Sequence, residues 1–236
     1  MRYKLEFELE NEEIPIQYRK SILSFIKLSL SENNQEYYEK YYKNKDCIIK
    51  PYTFGTIFQS PQFKKDTINL KNKKFDLIIS IADYNTAIIF YNAFNKQKNQ
   101  KFSLNKNSMK LKNIELILEK KVQEENIIKF ISPLVVRERE NRKDFYHSYE
   151  SEKFMQILKT NIKEQLKITN INPAKADTIK LEAVKAKKAI IQFYEKKIET
   201  SLGTFKIKGD KELIEYLYKS GMGSKHSSGF GMFEII

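Results

Sequence analysis

Residues 210–236 read Asp210-Lys-Glu-Leu-Ile-Glu-Tyr-Leu-Tyr-Lys-Ser-Gly221-Met-Gly223-Ser-Lys-His-Ser-Ser-Gly229-Phe-Gly231-Met-Phe-Glu-Ile-Ile236. The order of elements in this stretch decides the fold. Asp210 is a candidate helix N-cap, Leu213, Ile214, Leu217 and Tyr218 recur at helical spacing, and Gly221 marks the stop. The residues from Met232 onward are β-rich, so the glycines join a helix to a strand. A dinucleotide fingerprint and a P-loop both run from strand to helix. The first also needs glycine where His226 stands, and the second needs Gly-Lys-Ser/Thr where Gly223-Ser224-Lys225 stands. Both nucleotide-binding readings are excluded.

Upstream of this helix, β-rich runs at about 180–198 and 203–208 flank an expected turn at Leu202-Gly203. Before them come a helical pattern over 151–167, with Phe154, Ile157, Leu158, Ile162 and Leu166 on one face, and a strand at about 127–137. The order is βαββαβ, the ferredoxin-like unit. The first half repeats it. Tyr3, Leu5, Phe7 and Leu9 alternate along a strand, and Pro15 opens a helix carrying Tyr18, Ile22, Phe25, Ile26 and Leu30. A Tyr/Lys-rich connection, a β-rich run from Ile48 to Phe58, a strand through Phe75–Ile81, a helix near 84–96 and a strand through Ile114–Leu118 follow. The expected fold is α+β, with two tandem ferredoxin-like (βαββαβ, RRM-like) domains, 1–122 and 123–236, the second ending in the glycine-rich loop.

The net charge of +13 and pI near 9.4 point to a polyanionic partner, with the Lys, Asn and Ile richness of an AT-rich genome as the competing explanation. One cysteine and two histidines give neither a disulfide framework nor a zinc site. No metal or cofactor is expected, and a reducing cytoplasm is the expected setting. The alternating N-terminus reads as neither signal peptide nor membrane span.

Four ordered segments carry a resemblance: Lys50-Pro-Tyr-Thr-Phe, Ile131-Ser-Pro-Leu-Val-Val-Arg137, Leu202-Gly-Thr-Phe-Lys-Ile-Lys-Gly209 and the closing Gly-Met-Gly-Ser-Lys-His-Ser-Ser-Gly-Phe-Gly-Met. With the duplicated βαββαβ order, the chain resembles the CRISPR-associated repeat-RNA endoribonucleases, the Cas-six family of repeat-associated proteins. The resemblance implies binding of CRISPR repeat RNA and one cut per repeat in the precursor transcript. That cut is made without metal, by the RNA's own 2′-hydroxyl, leaving a 2′,3′-cyclic phosphate or 3′-phosphate and a 5′-hydroxyl. Other CRISPR effector subunits are further expected partners, with no membrane, and a monomer or homodimer is expected. The reaction asks for a base, an acid, cations for the phosphorane and an aligned backbone.

Many members of that family carry a histidine ahead of the Lys-x-φ-Thr-φ run. Here the corresponding place, near Asn44, holds no histidine, and asparagine cannot shuttle a proton. Three explanations stay open: Asn44 replaces the histidine; Tyr37, Tyr38, Tyr41 or Tyr42 works with Lys50; or the chain binds without cutting. Lys50 matches the family's lysine, placed to stabilise the cleavage-site phosphate. His226 is a weaker catalytic candidate and is expected as an exposed loop residue contacting RNA. His147 sits in a polar loop.

RNA contacts are expected from Gly221, Gly223, Ser224, Lys225, His226, Ser227, Ser228 and Gly229, through main-chain N–H groups and short polar side chains. Gly223→Val or Gly229→Val is expected to cost binding and spare the fold. Arg137, Arg139 and Arg142 lie within six positions, with ion pairing to Glu138 and Glu140 as the alternative to RNA contact. Lys185, Lys187 and Lys188, with Lys206 and Lys208, are expected to form a basic hairpin against RNA backbone.

Overall fold

The computed structural model describes residues 1–43 and 48–236, so Asn44 lies outside the described residues. Two compact units emerge: Met1–Lys50 with Thr56–Leu118, and Pro51–Gly55 with Glu119–Ile236.

The first contains β1 (Arg2–Leu9), β2 (Glu13–Pro15), α1 (Tyr18–Asn33), α2 (Gln35–Tyr38), a π-helical turn over Glu39–Lys43, and β3 (Tyr52–Ile57), of which only Thr56 and Ile57 belong here. It continues with β4 (Gln62–Phe63), β5 (Thr67–Asn69), β6 (Lys74–Ile81), α3 (Tyr84–Lys96), β7 (Lys101–Leu104) and β8 (Asn107–Ile117). The main sheet has the order β3-β6-β1-β8-β7, with β1 antiparallel to both β6 and β8. Alternation in β1 buries Tyr3, Leu5, Phe7 and Leu9, and the Phe7 ring meets Phe25 of α1 and stacks on Phe75. α3 starts where the Asp83 carboxylate accepts from Thr86 N at 2.7 Å, and it buries Ala87, Phe90 and Phe94.

The second unit contains β9 (Glu125–Phe130), β10 (Val136–Glu140), β11 (Lys143–His147), α4 (Phe154–Leu166), β12 (Lys180–Phe193), β13 (Lys196–Lys208), α5 (Lys211–Ser220) and β14 (Phe233–Ile235). Its sheet runs β12-β13-β9-β14, all antiparallel. The stripes of α4 and α5 close one core with Ile128, Phe130, Phe205, Ile207 and Phe233. In each unit the four strands of the βαββαβ repeat lie in the order fourth, first, third, second, the ferredoxin-like arrangement.

Four local expectations give way to the structure. Pro15 ends β2 instead of opening α1, because Ile14 pairs with Ile68 and Ile16 N donates to Asp66 O at 2.9 Å. The β-rich run from Ile48 becomes a strand only at Tyr52. The run at 127–137 splits at Pro133, and Val136 restarts as a hairpin whose tip, Asn141-Arg142, takes two left-handed residues (φ 49° and 63°). Leu202-Gly203 is not a turn. The turn falls at Tyr194-Glu195, while Gly203 sits inside β13 at φ 121° opposite a bulge, where a Cβ would stand 2.2 Å from Lys185 O. No helix among the described residues is long and apolar enough to cross a membrane.

Candidate nucleic-acid interface

The terminal glycine segment is folded onto its own unit. Its main-chain donors are largely consumed internally: Met222 N on Gly231 O, Gly223 N on Gln165 Oε1, Ser224 N on Val135 O, Gly229 N on His226 O, Gly231 N on Pro133 O and Met232 N on Ser132 Oγ. Gln165 of α4 clamps the start, since its Nε2 also donates to Gly221 O at 3.0 Å. The expectation that the main-chain N–H groups of this segment contact RNA is corrected accordingly for those donors. Buried polar groups find partners, and here the partners are protein. Half-exposed Ser224, Lys225, Ser227 and Ser228 are what the segment turns outward.

His226 corrects a second expectation. Only 7% exposed, it places Nδ1 3.1 Å from the carbonyl oxygen of Tyr52. Thr53 Oγ1 donates to Phe230 O at 2.9 Å beside it. The histidine is a structural tie between β3 and the terminal segment.

Arg137 is held by a reciprocal pair of bonds with Asn161 of α4: its N–H donates to Oδ1, and its carbonyl accepts from Nδ2. Its guanidinium lies 3.5 Å from Asp144, which also takes a 3.1 Å bond from Lys196 and a 3.5 Å contact from the Tyr146 hydroxyl. Burial works to raise the Asp144 pKa. The hydrogen bond from Lys196 and the charges of Arg137, Lys196 and Lys225 outweigh it and hold the carboxyl below the ordinary range. Arg137 is thus brought to one carboxylate together with Lys196, which the sequence reading missed, and the charge of Lys225 acts on the same group. Arg139 and Arg142 stand exposed toward the hairpin tip. Glu138, the expected competitor for arginine, instead takes a 3.0 Å bond with His147 Nε2, and His147 Nδ1 lies 3.1 Å from Ser151 Oγ.

The lysines of the long hairpin divide between its faces. Lys185 and Lys187 oppose Thr204 and Leu202, so by strand alternation they share a face with Lys206 and Lys208. Lys188 opposes Ser201 on the other face and pairs with Glu199 at 3.3 Å. Glu125 already engages Lys206 at 2.6 Å and Lys208 at 3.9 Å. Lys185 and Lys187, and Lys180 opposite Lys208, form no ion pair with a described residue.

In the first unit the Tyr/Lys-rich connection is a cation–aromatic cluster. Lys50 Nζ and Lys27 Nζ lie 4.8 and 5.2 Å from the centroid of the Tyr42 ring. Tyr41 is buried, its hydroxyl 3.3 Å from Thr86 Oγ1, and burial pushes its phenol up from the ordinary value. Tyr41 is therefore a poor base, whereas Tyr42 stays partly exposed. Among the described residues no group of three or more His, Cys, Asp or Glu side chains could hold a metal ion.

Gln165, Asp144 and Lys196 escaped the sequence reading because their partners lie 58, 52 and 52 residues away. No local pattern marks such pairs.

This fold recurs in known proteins. A CRISPR-associated endoribonuclease-like protein of Pyrococcus horikoshii, Cas6nc, is 28% identical over 166 residues, covering 68% of this chain and 69% of that one. The solved structure of the product of a Cas6-related gene from Pyrococcus furiosus matches with a TM-score of 0.89 at 22% identity, over 100% of this chain and 98% of that one. A RAMP protein binding different RNA substrates gives 0.87 at 22% identity, over 100% and 99%. Identities this low speak for the fold alone. Residues 117–235, just over half of the chain, match the family described as CRISPR associated protein Cas6, C-terminal, and the chain belongs to the Cas6 family.

Proposed function

We propose that this chain binds CRISPR repeat RNA and cuts the precursor transcript by metal-independent attack of the 2′-hydroxyl on the adjacent phosphodiester. Repeat-RNA binding and processing go with the Cas6 family, and the chemistry is our reading of this chain's residues. The 2′-oxygen bonds to phosphorus, the bond from phosphorus to the 5′-oxygen breaks, and the products are a 2′,3′-cyclic phosphate and a 5′-hydroxyl. One proton leaves the 2′-oxygen and one reaches the departing 5′-oxygen. Lys50 stabilises the phosphorane, Tyr42 is the described side chain closest to it that could take part in proton transfer, and Asn44 is the sequence position where the family histidine is expected. The observation that supports this reading is the pair of ammonium groups on the Tyr42 ring, a partly exposed phenol beside two cations.

A second reading, an RNA-holding homologue with silenced catalysis, is favoured by a different observation. His226 is tied to the Tyr52 carbonyl, His147 lies between Glu138 and Ser151, and the position expected for the family histidine is Asn44. Incubation of the protein with cognate repeat RNA in EDTA separates the two. Cleavage at one site with a cyclic-phosphate end supports the nuclease; tight binding with intact RNA supports the holder.

A further inference from the structure

The cations around Asp144 have an aromatic neighbour that the function above leaves unused. Lys225, left-handed at φ 58°, places its Nζ 5.8 Å from the Phe193 ring centroid, and the Tyr194 ring packs edge-on against Phe193 at 4.7 Å. Tyr194 is 49% exposed and occupies the two-residue turn that leads to Lys196. Arg137 and Lys196 thus meet at one carboxylate, and Lys225 lies against Phe193 beside an exposed ring.

The charges on this patch do not cancel. Arg137 and Lys196 share one carboxylate, which leaves an excess of one positive charge between them, and the charge of Lys225 acts on the same group. An ammonium has three N–H donors and a guanidinium five, so the bonds to Asp144 leave donors over on Lys196 and Arg137. The Lys196 side chain is 64% exposed and that of Arg137 is 32% exposed. Asp144 itself is 13% exposed, so it orients the two cations from below while they face water.

We propose that Arg137, Lys196 and Lys225 form a phosphate subsite for unpaired RNA, with the base of the adjoining nucleotide stacked on Tyr194. This rests on the RNA-binding reading above and adds a strand state and a stacking residue to it. An exposed aromatic ring beside clustered cations fits a single strand, whose bases are free to stack, and does not fit an A-form duplex, whose bases are already stacked on one another.

The test is fluorescence anisotropy of the full chain with labelled octauridine, with a blunt RNA duplex and with cognate repeat RNA. The variants are Tyr194→Leu, Lys196→Gln and, as an equal charge change in the other unit, Lys106→Gln. Tyr194→Leu should weaken octauridine binding at least about fivefold, in line with base–aromatic stacking, while duplex binding stays within about twofold. Lys196→Gln should weaken octauridine binding and flatten its log–log salt slope by about 0.7, one phosphate contact on a single strand. Lys106→Gln should change neither. If octauridine binding survives both patch variants, or if duplex binding falls equally with Tyr194→Leu, the subsite is wrong. If octauridine behaves as expected but cognate repeat RNA binds no better than an unrelated RNA, the subsite stands and the repeat-RNA reading falls.

Discussion

His226 Nδ1 lies 3.1 Å from the carbonyl oxygen of Tyr52, 174 residues earlier in the chain. A carbonyl only accepts, so Nδ1 carries a proton and donates. Together with the Thr53–Phe230 bond, this fastens the terminal segment along the first residues of β3. His226→Ala should therefore cost about 1–3 kcal/mol of stability in urea unfolding, the range for a buried hydrogen bond lost. His226→Asn, which keeps an amide N–H donor, should recover part of it. A wild-type midpoint in the alanine variant would show that the tie is idle.

The glycine segment yields a prediction opposite to the one its sequence suggests. At Gly229 (φ 84°) a Cβ would fall 2.4 Å from the Phe54 ring, and valine also resists that backbone conformation. Gly229→Val should lower stability by more than about 2 kcal/mol, through steric overlap and backbone strain together. Loss of RNA binding in this variant would then follow from misfolding. A variant with wild-type stability and weakened binding would restore the view of Gly229 as a contact residue.

Much of the fold was legible because its signals are local. Alternation in Tyr3–Leu9 and the Asp83 cap ahead of Ala87, Phe90 and Phe94 each state their element within one stretch. The β10–β11 hairpin was not legible: Arg137-Glu-Arg-Glu140 alternates only between charges, so neither face announces burial. Gly203 misled because a bulge and a turn call for the same residue. At the site, Arg137 is legible as a residue type, but its meeting with Lys196 at Asp144 depends on contacts between distant residues.

Asp144 predicts a pH effect with a definite sign. Its folded-state pKa is depressed, with burial opposed by the Lys196 bond and the surrounding cations. Such a group stabilises the fold above its unfolded pKa of about 3.9, and the contribution is lost as pH falls through the folded-state value. The difference in urea midpoint between wild type and Asp144→Asn should be full near pH 6 and shrink as pH falls below about 4. A difference unchanged by pH would mean that Asp144 acts by packing alone.

The division of lysines between hairpin faces predicts unequal salt effects. Lys185→Gln with Lys187→Gln removes two cations without ion-pair partners, whereas Lys188→Gln removes one already held by Glu199 on the opposite face. In a salt titration of repeat-RNA binding, the double variant should lower the slope by about 1.4 to 1.8, at roughly 0.7 to 0.9 per phosphate contact. Lys188→Gln should leave it nearly unchanged. Equal slopes for all three proteins would remove this face from the RNA interface.

The question of cutting turns on Asn44 and Lys50. Asparagine supplies a hydrogen bond but no titrating proton, and a positioned acid–base group contributes about 10²- to 10⁴-fold. The wild-type chain should therefore bind repeat RNA well and cleave it slowly. Asn44→His introduces a group with an unperturbed pKa near 6.5 and should raise the single-turnover rate in EDTA by about a hundredfold or more. Lys50→Ala placed on Asn44→His should remove most of that gain while leaving affinity within a few-fold, since an ammonium acting on the phosphorane matters more to the transition state than to the bound RNA. Fast cleavage by the wild-type chain, unchanged in Asn44→Ala, would move the proton transfer to Tyr42, the partly exposed phenol between Lys27 and Lys50.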